Sequence, residues 1–283
     1  MNEHMKFVRK MVFLHLRPII LSEDIYAYFK YAAEYNNVEY VCSDLLNRKG
    51  DGYYEMDFED IRNKAADPDV KLCIFCSPHN PSGRIWTEEE LRTFADICLE
   101  NGLLLISDEI HCDLIRSRLS HIPLAKLYPN SDRIITCMAP SKTFNTAGLQ
   151  FSNIIIPNED VRKLWLARHN FDLNPLSLAG AQAAYEGGYD WMMELRQYLD
   201  ANFEFVRDYL ENHLPKAIFR IPEATYLGWV DIGAYVEDEM CIRDRKYSSC
   251  VTILKQRPMP DSQCGRTLPS AELMQTVRMR ATA

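Results

Sequence analysis

The sequence predicts an α/β protein built on a mainly parallel sheet and followed by a separate small layer. Three observations lead there. Between residues 70 and 156 short apolar runs alternate with amphipathic stretches, the pattern of strand and helix units in a parallel sheet. Past residue 158 the apolar period becomes helical, and past residue 219 it becomes strand-like again. With 283 residues, 47% hydrophobic and 25% charged, the chain can bury one large core with a smaller satellite, which excludes a collagen, a disordered tail and a disulfide mini-scaffold.

In chain order, Ser22 is a candidate N-cap for a helix over residues 23–34, and a second helix is expected over 57–66. Residues 71–77 read as the first buried strand. Thr87 then opens a helix, because Glu90 three residues on completes a capping box and Leu91, Phe94, Ala95 and Cys98 form one apolar stripe. Gly102 stops it. The aliphatic runs 103–107, 133–138 and 153–156 are short enough to be strands rather than buried helices. Asn158 is placed to cap a helix carrying Val161, Leu164, Trp165 and Arg168, and residues 177–185 are rich in helix formers. A longer helix follows, with Asp190 as its candidate cap and Leu195, Leu199, Asn202, Val206 and Leu210 along one side as far as Leu214. Residues 219–221 and 226–231 are the strands of the small layer.

A formal net charge of −8 lacks the basic footprint of a nucleic-acid binder. Nine cysteines is an odd count, and Cys73 with Cys76 forms the one C-x-x-C pair, without a second pair to complete a zinc site, so buried reduced thiols and no metal are expected. The basic start at Lys6, Arg9 and Lys10 leads into an apolar stretch that Arg17 ends, with no small-residue cleavage site after it. No run approaches the roughly 18 apolar residues of a membrane span. The expected compartment is the cytoplasm, with no membrane partner.

Residues 236–283 differ in texture. They hold one aromatic residue, Tyr247, and a net charge of +2 on a body of −10, with no sustained periodicity, and are expected to be a disordered tail.

Three polar signals follow the carboxyl ends of three predicted strands: Ser77-Pro78-His79-Asn80-Pro81-Ser82-Gly83-Arg84, then Ser107-Asp108-Glu109-Ile110-His111, then Ala139-Pro140-Ser141-Lys142-Thr143. Ligands of open parallel sheets bind in the crevice beyond those ends, so Asn80, Asp108 and Lys142 are candidates to converge there. Taken singly, each has a plain explanation as an Asn-Pro turn, a helix-capping Asp and a surface lysine.

These segments, with Gly83-Arg84-x-Trp86, His111-x-Asp113-Leu114 and Phe144-Asn145-x-Ala147-Gly148-Leu149-Gln150, resemble the fold-type I pyridoxal-phosphate enzymes of the class I/II aminotransferase superfamily. The closer resemblance is to the cystathionine β-lyase and cysteine-conjugate C–S lyase branch. General aminotransferases show Tyr-Asn-Pro and Asp-x-x-Tyr where this chain has His79 and His111. The resemblance covers about residues 12 to 235. It implies a three-layer sandwich with a large cofactor-binding domain over 1–200 lacking its N-terminal part, the start of a small α+β domain over 201–235, and a tail over 236–283 outside the family pattern.

It also implies pyridoxal 5'-phosphate as cofactor, an amino acid as substrate and a homodimer. Lys142 would hold the cofactor as a Schiff base and then move protons as a general base, since an amine can do both. Asp108 would pair with the pyridine nitrogen, because a nearby carboxylate favours the protonated ring. Asn80 and His111 would bond the phenolic oxygen, and Ser141 the phosphate. Gln150 stands where transaminases carry a phosphate-binding arginine, which lyase-branch relatives also lack. Cys112 is read as packing, Tyr26 and Tyr28 as unassigned, and the four tryptophans as core and interface.

Two family pieces are not found: the glycine-containing phosphate loop ahead of the matched region, and an arginine for the substrate carboxylate, a role given to none of Arg257, Arg266, Arg278 and Arg280. The chain is therefore expected to be incomplete at both ends or wrongly joined near Tyr235. The implied activity is a C–S β-lyase releasing thiol, pyruvate and ammonia. The alternatives are an aminotransferase on the same scaffold and an inactive truncated remnant.

Overall fold

A computed structural model describes residues 19–21, 28–168, 173–235 and 250–251. Six strands form the main sheet in the order β2-β1-β5-β6-β7-β8: β1 (Ile19–Leu21), β2 (Tyr40–Cys42), β5 (Leu72–Cys76), β6 (Leu104–Asp108), β7 (Ile134–Met138) and β8 (Asn153–Ile155). All neighbours pair in parallel except β8, which runs antiparallel to β7. The sheet is thus mainly parallel. A two-stranded hairpin, β3 (Leu45–Leu46) with β4 (Glu55–Met56), lies outside it.

Alternation along the strands builds two cores. Leu72, Ile74 and Cys76 of β5, Leu104 and Ile106 of β6, and Ile135 and Cys137 of β7 face one way. They meet Phe29, Ala32 and Ala33 of α1 (Tyr28–Tyr35) and Trp165 of α6 (Glu159–Arg168). Cys73, Phe75, Leu105 and Ile134 face the other way. There they meet Ile61 and Ala65 of α2 (Phe58–Ala65), Leu91, Phe94, Ala95 and Cys98 of α3 (Glu88–Glu100), and Leu124 of α4 (Leu124–Leu127). The result is three layers. Strands buried on both faces read as unbroken apolar runs, which is why β5, β6 and β7 are legible in the sequence.

The cap expected at Thr87 forms, and Asp57, read as the first residue of its helix, is instead the N-cap. Asp57 accepts from the Asp60 amide at 3.1 Å. Thr87 Oγ1 accepts from the Glu90 amide at 3.2 Å while Glu90 Oε2 accepts from the Thr87 amide at 2.7 Å, a full capping box worth about 1 kcal/mol. Asn158 caps α6 through the amides of Asp160 and Val161. The stripe expected on α6 is narrower than read: Leu164 is exposed, because the helix reaches the sheet through the i,i+4 pair Val161 and Trp165.

After β7 come α5 (Pro140–Thr143) and a 3₁₀ turn over Ala147–Leu149; after α6 come α7 (Pro175–Gly187) and α8 (Tyr189–His213). Only Gly188 separates α7 from α8, so Asp190 lies in the first turn of α8 instead of capping it. Helix α8 runs unbroken across the expected 200/201 boundary and packs Leu199 and Phe203 against Leu114, Phe219 and Ile221. The small sheet joins β9 (Ile218–Phe219), β10 (Gly228–Asp231) and β11 (Cys250–Val251), all antiparallel. Two residues of the segment read as a disordered tail are therefore paired, since Cys250 and Val251 complete the edge of β10. The readings for residues 1–18, the start of the 23–34 helix and the rest of 236–283 fall outside the described residues.

Segment 222–226 is hydrogen-bonded to the loops that follow β5 and β6. The Ala224 amide donates to Gly83 O at 2.8 Å, the Arg116 amide to Glu223 O at 2.9 Å, and the Thr225 amide to Leu114 O at 2.7 Å. Gly83 has φ +70°, and a Cβ there would lie 2.3 Å from Pro222 Cβ, so this crossing requires glycine.

Candidate active site

Three adjacent parallel strands, β5, β6 and β7, end on the same edge. Asp108 is the last residue of β6 and pairs in register with Cys76 of β5 and Cys137 of β7. The chain continues that stitching past the strands: the Ser77 amide donates to Asp108 O at 3.0 Å and the Glu109 amide to Cys137 O at 2.8 Å. Asn80 follows β5 by four residues and Lys142 follows β7 by four. Strand order therefore brings together groups that lie 28 and 34 residues apart in sequence.

His111 is the meeting point. Asn80 Nδ2 lies 3.4 Å from His111 Nε2. Burial pushes the His111 imidazole down to a pKa of about 4, with the Asp108 carboxylate pulling it back up and the Lys142 ammonium adding to the depression. His111 is thus within electrostatic reach of both and is neutral at pH 7. Asp108 is buried, and its Oδ1 accepts from the Ile110 amide at 3.1 Å.

Two buried polar atoms in the site, Ser141 Oγ and His111 Nδ1, have no protein partner among the described residues. Native interiors rarely leave such atoms unmatched. With a carboxylate, an amine, a carboxamide and a neutral imidazole beside them, they suit a polar aromatic ligand that carries an anionic group. Chemically the set can attach a carbonyl at Lys142 Nζ, hold a protonated ring nitrogen at Asp108, and share a proton with a ring oxygen at Asn80 and His111.

Other candidates fall into place around it. His79 is buried, its pKa lowered to about 3 by burial and by Arg84 and His111, and its Nδ1 lies 2.9 Å from Ser82 Oγ. Burial and the Asp113 and Glu109 carboxylates push the Cys112 thiol well up, which removes it as a nucleophile. Gln150 is exposed at the end of the 3₁₀ turn. Cys73 and Cys76 are buried free thiols in β5, with Cys73 against Cys98 of α3. Trp86 and Trp165 are core, whereas Trp191 is 42% exposed. Tyr26 and the four tail arginines fall outside the described residues. A largely apolar cleft lined by Leu45, Met56, Ile61, Phe75 and Trp86 contains none of the five candidate residues.

Two contacts escaped the sequence reading. The Tyr226 ring packs edge-on against His111 at 5.8 Å between centroids. Thr143 Oγ1 donates to Asp113 Oδ2 at 2.9 Å, joining the turn of His111 to the helix of Lys142. Both join residues at least 30 positions apart, which no local pattern reports.

The model of the aminotransferase class I and II family matches residues 8–257. Cystathionine β-lyase PatB of Bacillus subtilis is 38% identical over 242 residues, covering 84% of this chain and 62% of that protein. Protein MalY of Escherichia coli is 32% identical over 219 residues, covering 76% of this chain and 55% of MalY. Among solved structures, the PLP-bound C–S lyase of Staphylococcus hominis superposes with a TM-score of 0.80 at 47% identity, covering 84% of this chain and 62% of that one. The chain thus spans between 55% and 62% of the length of these three proteins.

Proposed function

The chain belongs to the aminotransferase class I and II family, and on that premise we propose that its activity is that of a pyridoxal-phosphate-dependent C–S β-lyase acting on a cysteine S-conjugate such as cystathionine. The observation that carries the proposal is the convergence of Asn80, Asp108 and Lys142 on a neutral His111, next to buried polar atoms with no partner among the described residues. The histidines at 79 and 111, where general aminotransferases carry tyrosines, support the lyase reading over transamination.

In this reading Lys142 Nζ, Asp108, Asn80, His111 and Ser141 hold the cofactor: the amine at its aldehyde carbon, the carboxylate at the ring nitrogen, the carboxamide and imidazole at the phenolic oxygen, and the hydroxyl at the phosphate. When bound, pyridoxal phosphate supplies an electron sink that acidifies the substrate Cα–H. Lys142 Nζ takes that proton. With the Cα proton on Lys142, the electron pair left at Cα would form the Cα–Cβ double bond as the Cβ–S pair leaves with the thiolate, and water would convert the remainder to pyruvate and ammonia. His111, neutral down to about pH 4, retains one ring nitrogen to donate and one to accept.

The free thiols among the described cysteines support a reducing compartment, and we place the protein in the cytoplasm. Among the described residues no helix is long and apolar enough to cross a membrane. Leu176 and Leu178 of α7, 73% and 46% exposed, give a homodimer an apolar face to cover.

The test is an absorption spectrum of the purified protein with added cofactor, then borohydride reduction and peptide mapping. A label on Lys142 is expected, and one on another lysine rejects the assignment. Thiol release from cystathionine without a keto acid identifies the lyase; dependence on a keto-acid acceptor identifies an aminotransferase.

A further inference from the structure

The helix that carries Lys142 is a single turn with little of its own to hold it. Helix α5 spans four residues, and its N-cap, Ala139, supplies no side-chain hydrogen bond. Its backbone closes on itself through the Phe144 amide to Pro140 O and the Thr146 amide to Ser141 O. Such a short turn has marginal stability alone, so its orientation depends on contacts with other elements. Ser141 Oγ makes none among the described residues. Thr143, 1% exposed, does: its hydroxyl donates to Asp113 Oδ2 at 2.9 Å.

Asp113 is itself well anchored. It sits in the turn after β6, where the Cys112 amide donates to Glu109 O and the Leu114 amide to His111 O, and where Leu114 O accepts from the Thr225 amide. Its side-chain partners among the described residues are neutral donors: Thr143 Oγ1, and the Cys112 thiol at a long 3.7 Å from Oδ1. Its carboxylate also raises the pKa of the Tyr185 hydroxyl on α7, after the larger effect of burial. Hydrogen bonds to an ionised acceptor are about twice as strong as neutral ones.

Asp113 lies two residues after His111, and Thr143 one residue after Lys142. We propose that Asp113 is a positioning residue that acts through Thr143 to set where Lys142 stands relative to His111 and Asp108. This rests on the reading of Lys142 as the cofactor-bearing amine. The tether fixes the separation between the turn that ends β6 and the helix that follows β7. Without it α5 loses a side-chain hydrogen bond to the turn of His111, and the amine is aimed less closely.

The experiment measures attachment of pyridoxal phosphate to Lys142 in the full chain, by borohydride-fixed label at subsaturating cofactor and by the pH titration of the bound chromophore. Thr143→Val, which removes the donor at constant shape, and Asp113→Ala are each expected to lower labelling about tenfold and to shift the titration midpoint. Thr143→Ser keeps the donor and is expected to restore both. The double variant is expected to be no worse than either single, as for two halves of one interaction. Unchanged labelling and titration in Thr143→Val, additive losses in the double variant, or failure of Thr143→Ser to restore them overturns the proposal. If Thr143→Val does not fold, Thr143→Ser against Asp113→Asn decides: both retain a donor–acceptor pair, and a loss in both rejects the tether. Wild-type protein without label on Lys142 removes the underlying reading and the proposal with it, whereas labelled wild type with wild-type-like variants removes the tether alone.

Discussion

Two buried polar clusters border the strand ends, and they differ in how completely they are satisfied. In one, Arg84 donates from all three guanidinium nitrogens: Nε to Tyr54 O at 2.8 Å, Nη1 to Ile85 O at 3.2 Å and Glu223 Oε2 at 2.9 Å, and Nη2 to Glu90 Oε1 at 2.6 Å. Its face stacks on Tyr53 at 4.2 Å and lies 5.0 Å from Trp86. In the other, Ser141 Oγ and His111 Nδ1 are buried without partners among the described residues, and a carboxylate and an amine share the field of one neutral imidazole. A satisfied cluster holds a structure together. One left open among the described residues suits a bound ligand. The first pins segment 222–226, and with it Tyr226, against the second.

The contrast can be broken by substitution. Lys142→Ala should abolish label incorporation and lower any lyase rate on the order of a thousandfold or more, while the urea midpoint of the apoprotein stays put. A large midpoint change would make Lys142 a structural residue. Arg84→Met should do the opposite. Leaving Glu223 and Glu90 without their cation costs about 3 kcal/mol, measured by urea unfolding, with Lys142 still labelled in the fraction that remains folded. Stability unaffected by this change would mean that the saturated cluster is not holding the arm.

Acid sharpens the comparison. His111 and His79 have folded pKa values depressed to about 4 and about 3, below the ordinary histidine value of 6.5. The unfolded chain therefore binds protons first, and stability present above pH 6.5 is lost as pH falls toward 4 and then 3. His111→Gln should flatten that decline by about 2 kcal/mol between pH 6.5 and 4, read from urea midpoints across the range. An unchanged slope would show that His111 is not the buried neutral group described. The smallest effect belongs to Ser141→Ala: no loss of apoprotein stability, because no protein bond is removed, and about tenfold weaker cofactor affinity in a spectroscopic titration. Equal affinities would remove Ser141 from the site.

Much of this was legible beforehand. Strands β5, β6 and β7 announce themselves because burial on both faces demands uninterrupted apolar runs, and the Thr87–Glu90 box marks its helix because a cap is a local interaction. Strands β1 and β2 and the 45–56 hairpin were not read. Three-residue or two-residue strands carry too little pattern, and their stability comes from the neighbours they pair with. The cap at Asp190 failed because Gly188 alone joins two helices, a matter of how α7 and α8 pack. The two residues of β11 failed because pairing is decided by a free edge on β10, and residues 250–251 do not encode that edge.

For this protein the sequence by itself determined the kinds of chemical group available and the strand ends that carry them: Asn80, Asp108, His111, Ser141 and Lys142 stand where short apolar runs stop. Tertiary structure alone decided the strand order that makes β6 the middle of three, the neutrality of His111, the clamp of Arg84 on Glu223, and the bond from Thr143 to Asp113. The physical reason is range. Composition, caps and periodicity act within a few residues, whereas burial, field and register depend on neighbours that only the folded chain supplies.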